Sequence, residues 1–187
     1  MGVVSAFNNV SLDGFFADEN NDMSWAHNMR PDPEWQAYVE GNTQSDSTLL
    51  FGRVTYQMMA SFWPTPAALQ GMPAMAKQMN ERSKIVFSRT LNKTTWNNSR
   101  LVTTDPAAEV KRLVVETKQD LTLLGSGTII TQLLEADLLD DLTIVVTPIL
   151  LGKGKSMFAT AKQRHQLHLT NSRRFQNGNI VLQYSRA

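Results

Sequence analysis

Gly125, Ser126, Gly127 and Thr128 stand where an apolar run, Leu121 to Leu124, gives way to a helical pattern. Glycines there let the backbone approach a ligand closely, and the unpaired N–H groups of a helix start favour an anion such as a pyrophosphate. The plain alternative is a tight turn. The run is not the dinucleotide fingerprint G-x-G-x-x-G, because Ile130 occupies the third glycine position, and this disfavours a standard Rossmann domain. Gly52 and Arg53, followed by Thr55 and Tyr56, form a second such place: a hydroxyl and a guanidinium beside a helix start suit a phosphate. Ser88-Arg89-Thr90 closes a third apolar run with two hydroxyls and an arginine. In an α/β sheet ligands bind beyond the carboxyl ends of the strands, where all three would fall.

Other chemistries lack their parts. Gly152-Lys153-Gly154-Lys155-Ser156 ends like a P-loop, but the required first glycine would be at Ile149. His165 and His168 are three apart on an expected strand and so face opposite sides; with His27 isolated, no metal site is expected. There is no G-x-S-x-G elbow for a serine hydrolase. The acid candidates are Asp13, Asp32 and Glu34. Asp13 with Gly14 also reads as a turn, and Asp32 as a helix N-cap. Trp25, in a polar loop, could close over an aromatic ligand or anchor that loop to the core.

Composition narrows the partner. Eighteen Lys and Arg against 17 Asp and Glu leave a formal charge of +1, so the chain supplies no field for nucleic acid or an anionic membrane, and a small molecule is expected instead. Zero Cys excludes disulfides, Cys-ligated zinc, iron–sulfur clusters and thiol nucleophiles, and fits a reducing compartment. The N-terminus carries no signal-peptide pattern and no apolar run reaches membrane-span length, so a cytoplasmic, soluble protein is expected. At 187 residues, 1–187 reads as one domain.

The elements that must position these groups follow from periodicity and punctuation. Val3 to Phe7 reads as a buried strand bounded by Asn8 and Asn9, then a polar loop runs from Ala17 to Pro33. Asp32-Pro33-Glu34 opens a helix to about Gly41. Ser47 to Phe51 is a strand, and beyond Gly52 the residues Val54, Met58 and Phe62 line one helical face. Met72, Met75 and Met79 repeat that spacing ahead of a strand from Lys84 to Ser88. Asp105-Pro106 caps a helix carrying Val110, Leu113 and Val114, and Leu121 to Leu124 leads through the glycine turn into a helix bearing Ile129, Ile130, Leu133 and Leu134. Leu142 to Thr147 is strand-forming and stopped by Pro148. Gln163 to Thr170 and Asn179 to Ser185 alternate around Asn177-Gly178, a hairpin signal. The order predicts an α/β sandwich with a mostly parallel sheet and a C-terminal antiparallel hairpin.

Taken together, Ser11-Leu12-Asp13-Gly14, Gly52-Arg53-Val54-Thr55-Tyr56, Ser88-Arg89-Thr90, Gly125 to Thr128 and Thr147 to Gly154 with Phe158 resemble, in order and over nearly the whole chain, the dihydrofolate reductase-like fold, and within it the RibD C-terminal reductase domain of riboflavin biosynthesis. This resemblance implies a three-layer sandwich, a homodimer and an NADPH-dependent reductase of a pyrimidine- or pterin-like substrate, similar to 5-amino-6-(5-phosphoribosylamino)uracil reductase. It implies that Gly125, Ser126, Gly127 and Thr128 hold the cofactor diphosphate, that Gly52, Arg53 and Thr55 contact its phosphates, and that Ser88 and Arg89 meet the adenosine 2′-phosphate. Ala6 would lie under the nicotinamide, with Trp25 and Asp13 on the substrate side. Asp32, with Glu34 second, is the implied proton donor. The chain departs from the bifunctional riboflavin enzyme in lacking the deaminase half with its H-x-E…P-C-x-x-C zinc signature. Dihydrofolate reductase-like activity and a catalytically inactive NADPH-binding protein are the alternatives.

Overall fold

Strand β1 (Val4–Ser11) alternates buried Val4, Ala6, Asn8 and Val10 with half-buried Ser5, Phe7 and Asn9, the period-2 pattern of a strand covered unequally on its two faces. In the computed structural model, which describes residues 2–27, 30–43 and 46–187, it lies at the centre of an eight-stranded sheet. Asn28 and Met29, inside the expected polar loop, lie outside the described residues. The other strands are β2 (Phe15–Ala17), β3 (Thr48–Gly52), β4 (Lys84–Phe87), β5 (Ser99–Val102), β6 (Leu121–Leu124), β7 (Asp141–Thr147), β8 (Lys155–Ser156), β9 (Leu167–Arg174) and β10 (Ile180–Arg186). The helices are α1 (Pro33–Thr43), α2 (Arg53–Phe62), α3 (Pro66–Gly71), α4 (Pro73–Glu81), α5 (Pro106–Glu116) and α6 (Gly127–Glu135).

The sheet order is β5-β4-β3-β6-β1-β7-β10-β9. From β5 to β7 every pairing is parallel, and β10 and β9 add antiparallel at one edge. The expected mixed sheet with its C-terminal hairpin is therefore present. β3 and β4 are buried along their whole length, as strands covered on both faces must be. On one face α5 and α6 pack Val110, Leu113, Ile130 and Leu133 against Ala6, Leu50, Leu123 and Leu142. On the other, α2, α3 and α4 place Tyr56, Trp63, Ala68, Ala76 and Met79 over Leu49, Phe51 and Val86, while Trp35 and Tyr38 of α1 pack near Phe7 and Val145. This is a three-layer sandwich.

Four features differ from the sequence expectations, each through a non-local cause. β1 runs four residues past Phe7, because Asn8 to Ser11 pair with Ile144 to Thr147 of β7. β5 has little apolar character of its own and forms by pairing with β4. β2 and β8 make a separate two-stranded sheet that joins distant loops. Most informatively, α2 is turned over: Val54 and Phe62 face solvent, and the inward residues are Tyr56, Met59, Ala60 and Trp63. The sequence of α2 contains two apolar stripes, and periodicity alone does not say which one meets the sheet. Tyr56 decides it, because its hydroxyl accepts the backbone N–H groups of Thr95 and Trp96, each at 2.9 Å. No helix among the described residues is long and apolar enough to cross a membrane.

Candidate functional site

The parallel strands end together at one edge, and there β6 stops short. Leu124 is opposite Phe7, whereas β1 continues to Ser11 beside β7, so a crevice opens beyond β6 and between β3 and β1. The sheet order turns at this point, since β3, β4 and β5 proceed outward on one side and β7 lies on the other. In open α/β sheets this is where ligands bind.

Two helices start at this crevice, α6 after β6 and α2 after β3. Most helix starts elsewhere in the chain are closed by a side chain: Asp105 accepts from Ala108 N at 3.0 Å, Thr65 from Ala68 N at 3.3 Å, and Asp32 from Glu34 N and Trp35 N at 3.0 and 3.2 Å. The N-caps of α2 and α6, Gly52 and Ser126, make no such bond. Their first N–H groups therefore keep the donor capacity and the positive end of the helix dipole for another acceptor.

The glycines are what allow the two starts to meet. A Cβ on Gly125 would lie 2.5 Å from Thr55 Oγ1 and 2.7 Å from its Cγ2, and one on Gly52 would lie 2.7 Å from Ser126 Oγ. A Cβ on Gly127 would collide with the Met157 carbonyl oxygen. Gly125 and Ser126 both adopt left-handed backbone, φ 69° and 58°, which turns the chain sharply from strand into helix. The structure thus brings Gly52, Thr55, Gly125, Ser126 and Gly127 into one cluster, with Thr128 exposed in the first turn of α6. Arg53 is exposed, its Nη1 donating to Gln57 Oε1 at 3.1 Å. The register Gly52 to Phe87 sets Ser88 and Arg89 at the neighbouring strand end. Ser88 Oγ accepts from Thr90 N and Leu91 N at 3.2 and 3.0 Å, holding a turn that leaves Arg89 exposed.

The remaining expected residues make contacts within the fold. The Ala6 side chain sits inside the main core, between Leu123 and Leu142 on the flanking strands, so a ring at the strand ends would meet the later residues of β1 instead. Asp13 closes a loop: its Oδ1 accepts from Ser11 Oγ at 2.6 Å and Leu151 N at 3.2 Å, and its Oδ2 from Gly152 N at 2.8 Å. The Ser11 hydroxyl above all holds its carboxyl below the ordinary aspartate value. Asp32 is buried, caps α1, and with Oδ2 also accepts from Asn177 N at 3.0 Å, tying the helix start to the β9–β10 turn. Burial pushes its pKa up, but the surrounding backbone N–H bonds outweigh this and lower it. Asp32 thus serves here as an ionised staple between the start of α1 and the β9–β10 turn. Glu34 is exposed and paired with Arg173 at 3.0 Å. Trp25 is half-buried in a short 3-10 helix, Ser24–Ala26, with Nε1 donating to Asp22 O at 3.2 Å.

Sequence reading missed Asn8. It lies on β1 one residue beyond the end of β6, buried, with Nδ2 lacking a partner among the described residues. Two consecutive asparagines after a strand read as its boundary, and only the pairing with β7 shows that the strand continues through them. A groove of about 540 Å³ opens at the opposite edge of the sheet, bordered by Thr48, Lys84, Trp96 and Leu121. Lys84 there spends all three Nζ donors on the carbonyls of Asn80, Arg82 and Asn97 at 3.0, 2.7 and 3.1 Å, which marks a structural cation.

The architecture is a dihydrofolate reductase-like fold. The chain belongs to the RibD C-terminal domain family, which matches residues 3–181. The uncharacterized protein YyaP of Bacillus subtilis (strain 168) is 29% identical over 175 residues, covering 94% of this chain and 90% of YyaP. A crystal structure of a protein assigned to riboflavin biosynthesis from Shewanella sp. PV-4 superposes with a TM-score of 0.74 at 24% identity, covering 99% of both chains. The bifunctional deaminase and 5-amino-6-(5-phosphoribosylamino)uracil reductase of Thermotoga maritima gives 0.69 at 16% identity, and this chain covers 57% of it. Dihydrofolate reductase of Enterococcus faecalis, solved with NADP(H) and RAB-propyl, gives 0.61 at 14% identity, covering 99% of this chain and 96% of that one. At these identities the structural likeness establishes the fold.

Proposed function

We propose that this protein is an NADPH-dependent reductase that delivers hydride to a C=N or C=O carbon of a pyrimidine- or pterin-like substrate. The observation that carries the reading is the pair of uncapped helix starts, α2 and α6, meeting through Gly52, Thr55, Gly125 and Ser126 at the point where the sheet order turns. The residues fit a dinucleotide phosphate: glycines at contact distance remove the Cβ atoms that would block approach, and free N–H groups supply the donors. Family membership and a fold neighbour solved with NADP(H) support the same cofactor. Gly125, Ser126, Gly127 and Thr128 would hold the diphosphate from the α6 side and Gly52, Arg53 and Thr55 from the α2 side. Exposed Arg89 would pair with the 2′-phosphate.

A bound nicotinamide supplies the hydride. The chain's task is to hold the substrate carbon at the strand ends and exclude water, with Trp25 on the loop over β1 as the covering group. Asp13, Asp32 and Glu34 are all engaged in structural contacts, so the reading assigns the proton to water rather than to a carboxylic acid. The phosphoribosyl pyrimidine of riboflavin synthesis and dihydrofolate are the substrates to try first. Fluorescence titration with NADPH and NADH tests the cofactor: NADPH binds more tightly, and Arg89→Ala weakens NADPH about 10- to 100-fold, a loss of about 1.4–2.8 kcal/mol, with NADH nearly unchanged. Equal losses for both cofactors would remove Arg89 from the 2′-phosphate site. NADPH binding without oxidation across the substrate panel would favour a cofactor-binding protein that has lost catalysis.

A further inference from the structure

Asn8 is 3% exposed, and the Nδ2 of its amide has no hydrogen-bond partner among the described residues. Burying an amide donor unpaired costs free energy that an apolar side chain of the same shape would not. Asn80, which serves the fold, is engaged at both ends: Nδ2 donates to Trp63 O at 3.0 Å, and Oδ1 accepts from Trp96 Nε1 at 2.7 Å. The position of Asn8 shows what its amide can serve. Pairing of β1 with β6 ends at Phe7 and Leu124, and Gly125 then turns away at φ 69°, so Asn8 is the first residue of β1 with that flank open to the crevice. Its side chain shares a face with those of Ala6 and Val10, which pack in one cluster with Ile129, Ile130 and Met157. It therefore lies on the α6 side of the sheet, away from Phe7, Trp35 and Tyr38 on the α1 side. The Gly125–Gly127 turn closes on that same side, with Gly127 packed against the Met157 carbonyl.

We infer that the Asn8 amide donates a hydrogen bond to an oxygen of the nicotinamide half of the dinucleotide and so recognises that half of the cofactor. The inference rests on the reductase reading above. Along the sheet order β4-β3-β6-β1, Arg89 follows β4, the two uncapped helix starts follow β3 and β6, and Asn8 lies on β1. A dinucleotide with its 2′-phosphate at Arg89 and its diphosphate between the helix starts brings its nicotinamide half to β1. An Nδ2 donor there needs an acceptor, and the ribose and carboxamide oxygens of that half are acceptors. The free protein carries the cost of the unpaired donor, and ligand binding removes it. Asn8 is therefore the reverse of a stabilising residue: it weakens the free fold and strengthens the complex.

Thermal denaturation and fluorescence titration of Asn8→Leu test this without turnover. Leucine keeps the shape and removes the donor, so the melting midpoint of the free protein should equal or exceed that of wild type, while NADPH binding weakens about 10-fold, the effect of one neutral hydrogen bond. Adenosine 2′,5′-bisphosphate, which lacks the nicotinamide half, should bind the two proteins within about two-fold of each other. Asn8→Ala, which adds no volume to the core, should show the same selective loss. Asn80→Leu should do the opposite, lowering the midpoint and leaving both dissociation constants unchanged. NADPH affinity within about two-fold of wild type in both Asn8 variants overturns the inference and leaves the reductase reading standing, as does an equal loss for NADPH and the bisphosphate. A wild-type protein that binds no NADPH overturns both.

Discussion

Gly125→Ala tests whether the junction between α2 and α6 is as tight as the geometry requires. Two costs combine. Gly125 sits at φ 69°, where an alanine is disfavoured by about 1–2 kcal/mol. Its new Cβ would stand 2.5 Å from Thr55 Oγ1, 2.7 Å from Cγ2 and 3.1 Å from Cβ, and Thr55 is buried. Because that side chain is fixed to the helix by a short stem, relief needs α2 or the turn to move, an overpacking cost of about 1–3 kcal/mol. The expected sum is about 2–5 kcal/mol, or a melting-temperature drop of roughly 4–20 °C for a chain of this size. The double substitution Gly125→Ala with Thr55→Ala separates the terms, since it removes Oγ1 and Cγ2 but leaves the backbone strain. Urea denaturation of the four proteins should give a favourable coupling of about 1–2 kcal/mol between the two sites. Additivity within about 0.5 kcal/mol would refute the contact, and a loss below about 1 kcal/mol for Gly125→Ala alone would refute the strained turn as well.

Three further outcomes follow from the polar network. Asp32→Ala removes the α1 cap and leaves the buried Asn177 N–H without its acceptor, so a loss of about 2–3 kcal/mol is expected by thermal denaturation, with turnover per folded molecule within a few-fold of wild type; a turnover loss of a hundred-fold or more would restore Asp32 as proton donor. Lys84→Met strands three carbonyls and should cost about 2–4 kcal/mol. Burial, and then the neighbouring Arg82 charge, push the Lys84 pKa down to about 8. The folded state then releases this proton before the unfolded state does, so Lys84 makes stability rise with pH from about 8 toward 10.5, and the Met variant should lose that slope in urea midpoints. The hydrogen bond from Arg112, with Arg100 beside it, holds Glu109 down at about 2. Its contribution is therefore complete above the ordinary value of 4.5 and lost as pH falls toward 2; Glu109→Gln should flatten that acid limb and cost about 1 kcal/mol at neutral pH and low salt.

Much of the site is written locally. Gly125-Ser126-Gly127 and Gly52 announce sharp strand-to-helix turns through residue type alone, and Gly52, Gly125 and Ser126 reappear as contact points between two helix starts. Asp105-Pro106 and Asp32-Pro33 mark helix starts for equally local reasons, and the alternation around Asn177-Gly178 marks the hairpin. What local pattern does not carry is the use a side chain is put to once its neighbours arrive. Asp13, Asp32 and Glu34 are chemically eligible acids in the sequence. Their oxygens are taken by Gly152, Asn177 and Arg173, each at least 138 residues away along the chain.

By itself the sequence determined the order of the helices and central strands flanking the site, the turn chemistry and the absence of cysteine, because these depend on residue type and on neighbours within one or two turns. Tertiary structure decided which stripe of α2 faces the sheet, how far β1 extends, and which acids are spent on loops. Those outcomes depend on partners brought in from elsewhere: Tyr56 finds the N–H groups of Thr95 and Trp96, and Asn8 to Ser11 find β7. The physical reason is that a helix or strand forms from its own backbone preferences, while a hydrogen-bond acceptor or an apolar stripe acquires its role only from the group that reaches it across the fold.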